Sequence, residues 1–220
     1  MLHSVSYVTP DPAVDRVAAI ALDATLRGHL RYYHQADDAQ ILGYITAATE
    51  WYENAADRSL ITATWEARWD CFPGQSQDDR SGPAWAGRAD RLAIFLPKAP
   101  AVAVTSVKYL DTSNVETTLS SAAYTADVSN KDAYSTIVPA VGYSWPSVLF
   151  TPGAVRVRFT AGYGATASTV PQRIRQLLRL LVAHWYAPGR HPYLVGETVN
   201  ELPMTLKSLF WSTRAARSAA

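Results

Sequence analysis

The sequence predicts an α+β fold in which helices near both ends of the chain flank a small antiparallel β unit. Three observations support this prediction. Apolar residues recur at helical spacing before residue 56 and again after residue 169, and they alternate with polar residues along short segments in between. The 220 residues are 48% hydrophobic and 18% charged, a composition typical of a chain that buries a core.

Two helices are predicted in the first 60 residues. Residues 11–33 carry apolar side chains at helical spacing, Pro12 suits a first turn, and Gly28 leaves the helix end open. Asp37 or Asp38 can cap the second helix. Its predicted buried face consists of Ile41, Ile45, Ala48, Tyr52 and Ala55.

Strand patterns follow the second helix. Residues 60–69 alternate, with Trp65, Ala67 and Trp69 on one side and Glu66 and Arg68 on the other, which predicts a half-exposed strand. Residues 72–90 are rich in Gly, Pro, Ser and Asp and predict a long loop. Further short strands are predicted at 92–96, 102–110, 115–119, 124–128, 136–138 and 154–160, which together indicate a small antiparallel sheet or a barrel-like unit.

The period changes back to that of a helix after residue 168. Thr169 can cap a helix that has Pro171 in its first turn. The predicted apolar face holds Ile174, Leu177, Leu178, Leu181, Val182 and Trp185, and Gln172, Arg175, Gln176 and Arg179 lie opposite. Pro203 opens a short last helix, whose apolar stripe is Leu206, Leu209 and Phe210.

Composition and motifs indicate no catalytic, metal-binding or cofactor-binding residues. The net charge of +1 gives no general case for nucleic-acid or membrane binding, and no apolar run is long enough to span a membrane. The five histidines have no metal-ligand spacing, and Cys71 is the only cysteine. Acidic residues are in excess up to residue 57, and basic residues are in excess from residue 173 onward. This distribution favours either head-to-tail self-association or two solvated helix faces.

Four segments, in this order and spacing, resemble the head–tail connector (adaptor) family of tailed bacteriophages and phage-like gene-transfer particles. The first is DDAQILGYITAATEW at 37–51, which leads into LITATWE at 60–66. The second is RLAIFLP at 91–97 with VTSVKYLD at 104–111. The third is residues 155–164 followed by VPQRIRQLLRLLVAHWY at 170–186, and the fourth is the short helix opened by Pro203.

The resemblance implies a helical core of two N-terminal helices, one long and one short C-terminal helix, with an inserted antiparallel β unit. The expected boundaries are residues 1–60, 61–168 and 169–220. The resemblance also implies a homo-oligomeric ring, normally of twelve copies, that is assembled in the host cytoplasm and located in the virion neck. Its implied partners are a portal protein, a stopper or tail-completion protein, and double-stranded DNA passing non-specifically through the bore.

Two sets of residues are candidates for assembly contacts. The portal or subunit interface is assigned to Leu209, Phe210, Trp211, Arg214 and Arg217, because Trp and Arg beside an apolar stripe are typical interface anchors. The alternative is that the stripe covers the protein's own core. The second set, Arg175 and Arg179, is assigned to a polar helix face at the ring interface or the bore.

Two rival functions remain open. A small β domain that recognises carbohydrate or peptide would use Trp65, Trp69, Trp85 and Trp145 as platforms. An enzyme of unrecognised type would have to assemble its site from dispersed residues.

Overall fold

The computed structural model describes residues 2–9, 18–75, 92–129, 131–186 and 204–214. Within these residues the fold is α+β, with four α-helices and two antiparallel sheets, and it carries more sheet than the sequence predicts. The chain divides into two compact units. The helical unit takes Arg16–Ile61 and Tyr163–Ala215, and the β unit takes Thr62–Gly162 together with the N-terminal strand.

The helical unit is built on the apolar faces of its two longest helices. Its described helices are α1 (Ala24–Leu30), α2 (Asp38–Ala55), α3 (Gln172–Tyr186) and α4 (Met204–Thr213). On α2 and α3 the predicted stripes are buried in one cluster, which includes Ile41, Ile45, Ala48, Tyr52, Ile174, Leu177, Leu178, Leu181 and Val182. Trp185 is only half-buried, with its ring 6.3 Å from that of Tyr44, and Ala55 is exposed at the last turn of α2.

Helix α1 is shorter than the helix predicted over residues 11–33. Residues 11–17 lie outside the described part of the chain, and residues 18–23 are not helical although Ala19 and Ile20 are buried. The Asp23 carboxylate caps α1 by accepting a 2.8 Å hydrogen bond from the Leu26 amide. The apolar residues described before Asp23 therefore reflect an irregular segment that packs into the core.

The β unit contains a five-stranded sheet in the order β1-β2-β8-β4-β5 and a three-stranded sheet in the order β3-β7-β6. All of the pairings are antiparallel. The strands are β1 (Leu2–Thr9), β2 (Ala63–Trp69), β3 (Ile94–Phe95), β4 (Ala101–Leu110), β5 (Glu116–Thr118), β6 (Tyr124–Asp127), β7 (Thr136–Pro139) and β8 (Val155–Ala161).

Strand β1 lies within residues 1–60, for which two helices and no strand were predicted. It pairs along β2 and belongs to the β unit, and Val5 packs against the core of that unit. Its sequence, LHSVSYVT, contains several residues that favour strands. Such a short segment cannot be told from an irregular terminus by its sequence. It is its pairing with β2 that makes it a strand.

The interior of the β unit is formed by the inward residues of β2, β4 and β8 and by an aromatic stack. Trp65, Val107, Val157 and Phe159 are buried together. Phe72 stacks on Trp145 with ring centroids 4.6 Å apart, and the Trp145 indole donates a 2.8 Å hydrogen bond to the Leu92 carbonyl. The start of the predicted 72–90 loop is thereby anchored, and residues 76–91 lie outside the described residues.

Truncation of a residue at the α2–α3 contact tests this core. We expect Leu178→Ala to lower the free energy of unfolding by about 2–5 kcal/mol, because Leu178 is fully buried and its loss leaves a cavity. Urea denaturation measures the change. The matched control is Leu42→Ala on the exposed side of α2, which should change the stability by less than about 0.5 kcal/mol. If Leu178→Ala were as stable as the parent protein, Leu178 would not be packed in the contact between α2 and α3.

Candidate functional site: assembly surfaces

The described residues hold no metal-binding cluster. Within the described ranges no three His, Cys, Asp or Glu residues are grouped so that they could hold a metal ion, and Cys71 is buried. In the same part of the chain, no helix combines the length and apolar character needed to cross a membrane.

Helix α4 carries most of the candidate portal interface, and two of its residues pack inside the helical unit. Leu209 and Phe210 contact the core cluster. The Phe210 ring lies 5.5 Å from that of Trp51 and 6.1 Å, edge to face, from that of Tyr52. These two residues pack α4 against the helical unit, as the alternative in which the stripe covers the protein's own core would have it. The side chain of Leu206, the third residue of the stripe, lies outside the described residues.

The C-terminal end of α4 is held by a buried arginine that sequence reasoning missed. Arg58, about 1% exposed, donates from Nε to the Thr213 carbonyl at 2.6 Å and from a terminal nitrogen to the Tyr163 hydroxyl at 2.6 Å. The Tyr52 hydroxyl donates to the same Thr213 carbonyl at 3.2 Å. Burial raises the pKa of Tyr52 to about 12, so this hydroxyl stays protonated at neutral pH. A cation at a helix C-terminus is also favoured by the helix dipole.

The exposed part of the candidate portal interface is a Trp–Arg pair. The Trp211 side chain is 62% exposed, and the Arg214 guanidinium lies 5.3 Å from the centre of its ring. Trp211 follows the anchored Phe210 on α4, and Arg214 comes directly after the helix ends at Thr213. Arg217, the last member of this set, lies outside the described residues.

Arg175 and Arg179 do not lie on a freely solvated helix face. Both are half-buried, and the buried Nε of each has no hydrogen-bond partner. Arg179 reaches the Asp23 carboxylate at 3.6 Å, with only 11% of its side chain exposed. The exposed polar positions on this side of α3 are instead Gln172 and Gln176. Both arginines are thus partly buried within their own chain, and Arg179 also has an acidic partner there.

The tryptophans of the rival carbohydrate- or peptide-binding hypothesis fill the β core. Trp65, Trp69 and Trp145 are buried, and Lys98 lies over the Trp65 ring at 5.4 Å. Trp85 lies outside the described residues. Three of the four supposed platforms therefore have no face open to a sugar ring.

The chain is similar along nearly its whole length to proteins of gene transfer agent particles. A chain from the neck of an empty particle, computed with C6 symmetry, matches with a TM-score of 0.66 and 26% identity over 99% of this chain and 98% of that chain. A chain from the virion of a native particle matches at 0.62 and 24% over 98% and 97%. A chain from the neck of a native particle with C12 symmetry matches at 0.63 and 24% over 99% and 98%.

These structural matches confirm the resemblance to phage-like neck connector proteins that the sequence indicated. No protein-family model and no curated protein matches the chain. At 24–26% identity the chains share the path of the backbone. The roles of surface residues therefore have to be argued from the contacts and exposure of those residues in this chain.

Replacement of the buried arginine tests how α4 is held. We expect Arg58→Met to lower the free energy of unfolding by about 1.5–3 kcal/mol, because the Thr213 carbonyl loses a charged donor. Tyr52→Phe should cost less, about 0.5–1.5 kcal/mol, because it removes one neutral hydrogen bond.

Thermal and urea unfolding measure both effects, with Arg31→Met at an exposed position as the control. If Arg58→Met unfolds like Arg31→Met, Arg58 does not hold the end of α4.

Proposed function

We propose that the chain is a structural subunit of the neck of a phage or phage-like particle, where it forms a connector ring between capsid and tail. The observation that carries this proposal is the likeness, over 99% of the chain, to a neck protein of a gene transfer agent particle. The absence of a metal cluster from the described residues and the burial of the tryptophans leave assembly surfaces as the features to be explained.

In this proposal the ring is a homo-oligomer of twelve copies. Support comes from the C6 and C12 symmetry of the particle necks that contain the similar chains. Arg175 and Arg179 are proposed to lie at the ring interface, or beside the bore, where they receive carboxylates from a neighbouring copy. Arginine is a residue type enriched at protein interfaces, which supports this placement.

The proposed partners are the portal protein on one side of the ring and a stopper or tail-completion protein on the other, with double-stranded DNA in the bore. Trp211 and Arg214 are assigned to the portal contact. An exposed Trp next to an Arg buries a large area at low entropic cost, which is typical of residues that dominate protein interfaces. Arg217 belongs to the same assignment.

A double substitution at the exposed pair tests the portal assignment. We expect Trp211→Ala with Arg214→Ala to abolish decoration of portal rings, seen by electron microscopy and sedimentation, while the melting temperature stays close to that of the parent. Both side chains are exposed, so their loss should leave the core unchanged. Point changes are preferred to deletion of residues 211–220, because deletion removes the Thr213 carbonyl that Arg58 binds.

The control is Tyr143→Ala, which removes an exposed aromatic from the β unit. Normal decoration by the Trp211/Arg214 variant would overturn the assignment of these residues. Failure of the parent protein itself to associate with portal rings would overturn the proposed function.

A further inference from the structure

The outer face of the five-stranded sheet carries a row of cations that lie opposite one another. Arg68 on β2 is in register with Arg156 on β8, and Arg156 is in register with Lys108 on β4. Arg158 follows two residues further along β8, on the same face. We call these four residues, Arg68, Lys108, Arg156 and Arg158, the cation row.

Two carboxylates hold the cation row in place. Glu66 accepts from Arg68 at 2.7 Å and from Arg158 at 2.7 Å. Glu116 binds Lys108 and Arg156, each at 2.9 Å. Burial raises the pKa of Glu66, but the hydrogen bonds from its two arginines outweigh burial and lower it, and the hydrogen bond from Lys108 lowers the pKa of Glu116. Both are ionised at neutral pH, so the four cations keep an excess of two positive charges.

The arrangement places like charges side by side. Like charges directly opposite on neighbouring strands destabilise a sheet, and the register places Arg156 between Arg68 and Lys108. The side chains of the row also stay 34% to 51% exposed. Each guanidinium has five N–H donors, so donors remain available to solvent after each arginine has bound its carboxylate.

The chemistry around the row fits phosphate rather than a protein surface. Positions on the same face of the sheet hold hydroxyl side chains: Ser4, Ser6, Thr64, Ser106, Thr118 and Thr160. Arg, Lys, Ser and Thr are the residues that contact nucleic-acid backbones, whereas the centre of a protein interface is poor in Lys and Ser and rich in aromatic residues. Guanidinium groups also match phosphate oxygens in pairs.

The spacing of the row suits a chain of phosphates. Neighbouring strands lie about 4.8 Å apart, and Arg156 and Arg158 are separated by roughly 6.7 Å along β8. The row therefore spreads its charge over three strands instead of concentrating it at one point. An exposed surface of this kind attracts a polyanion without reading its sequence.

We propose that the cation row binds the phosphate backbone of double-stranded DNA, weakly and without sequence preference. The inference rests on the proposed function, which brings DNA past the subunit, and it assigns the contact to the β unit rather than to α3. Because contacts with DNA phosphates release counterions, this binding weakens steeply as the salt concentration rises.

The variant that tests the proposal is Arg156→Gln with Arg158→Gln. Glu66 keeps Arg68 and Glu116 keeps Lys108, so neither carboxylate loses its last cation. The control is Arg31→Gln with Lys131→Gln, which removes the same charge from exposed positions elsewhere. Circular dichroism melting establishes that both variants are folded.

Fluorescence anisotropy with a short random-sequence duplex is measured over a series of salt concentrations. We expect the Arg156/Arg158 variant to bind more weakly than the control and to lower the slope of log K against log salt by about 1.8, the value for two lost phosphate contacts. An unchanged slope, absent binding by the parent, or equal affinity for polyglutamate would overturn the proposal. The last outcome would indicate an acidic protein partner.

Sedimentation with portal rings, run on the same variants, separates this inference from the proposed function. Retained portal assembly with reduced DNA binding supports the inference. If the parent binds DNA through the row but does not assemble on portal rings, the proposed function fails and the phosphate contact stands.

Discussion

The helical unit depends on the pairing of α2 with α3, because residues 62–162 separate the two stretches of chain that supply these helices. Bringing such stretches together costs loop-closure entropy, which grows only logarithmically with the length of the intervening chain. Burial of the faces that contain Ile45 and Leu178 offsets that cost. Arg58 adds a polar tie between the two stretches, since it follows α2 in the chain and bonds both Tyr163 and the end of α4.

The way α4 is held determines what its exposed side can do. Phe210 packs against Trp51 and Tyr52, and Thr213 is fixed through its carbonyl, so the helical turn between them has little freedom to change direction. Trp211 is consequently presented to solvent on a helix that is already ordered. A partner that buries this ring does not have to order the helix first, and preorganisation of this kind increases affinity without adding a contact.

Apolar periodicity was enough to predict α2, α3 and β8, because each buries one continuous face whose spacing can be counted along the chain. The same reasoning failed before Asp23, where buried Ala19 and Ile20 belong to an irregular segment. It also missed β1, whose partner edge is distant in sequence, and Arg58, whose bonds span 105 and 155 residues.

The apolar stripe at Leu209 and Phe210 is compatible with packing against the protein's own core or against a partner protein. Only the tertiary structure decides between these two. Arg179 lies on the predicted polar face of α3, but its pairing with Asp23, the cap of α1, could not be counted from the spacing along one helix.

The two proposed contacts differ in physical kind, and the difference suits their tasks. An aromatic anchor such as Trp211 gains free energy by being desolvated, so its contact is lost slowly once water has been excluded. The cation row works through charges that stay hydrated, and counterions can replace the phosphates at little cost. In the proposed function the chain holds a protein partner while DNA moves past it, so both behaviours would be needed. The proposal assigns the durable contact to a helix with an exposed ring and the transient contact to a sheet face of arginines and hydroxyls.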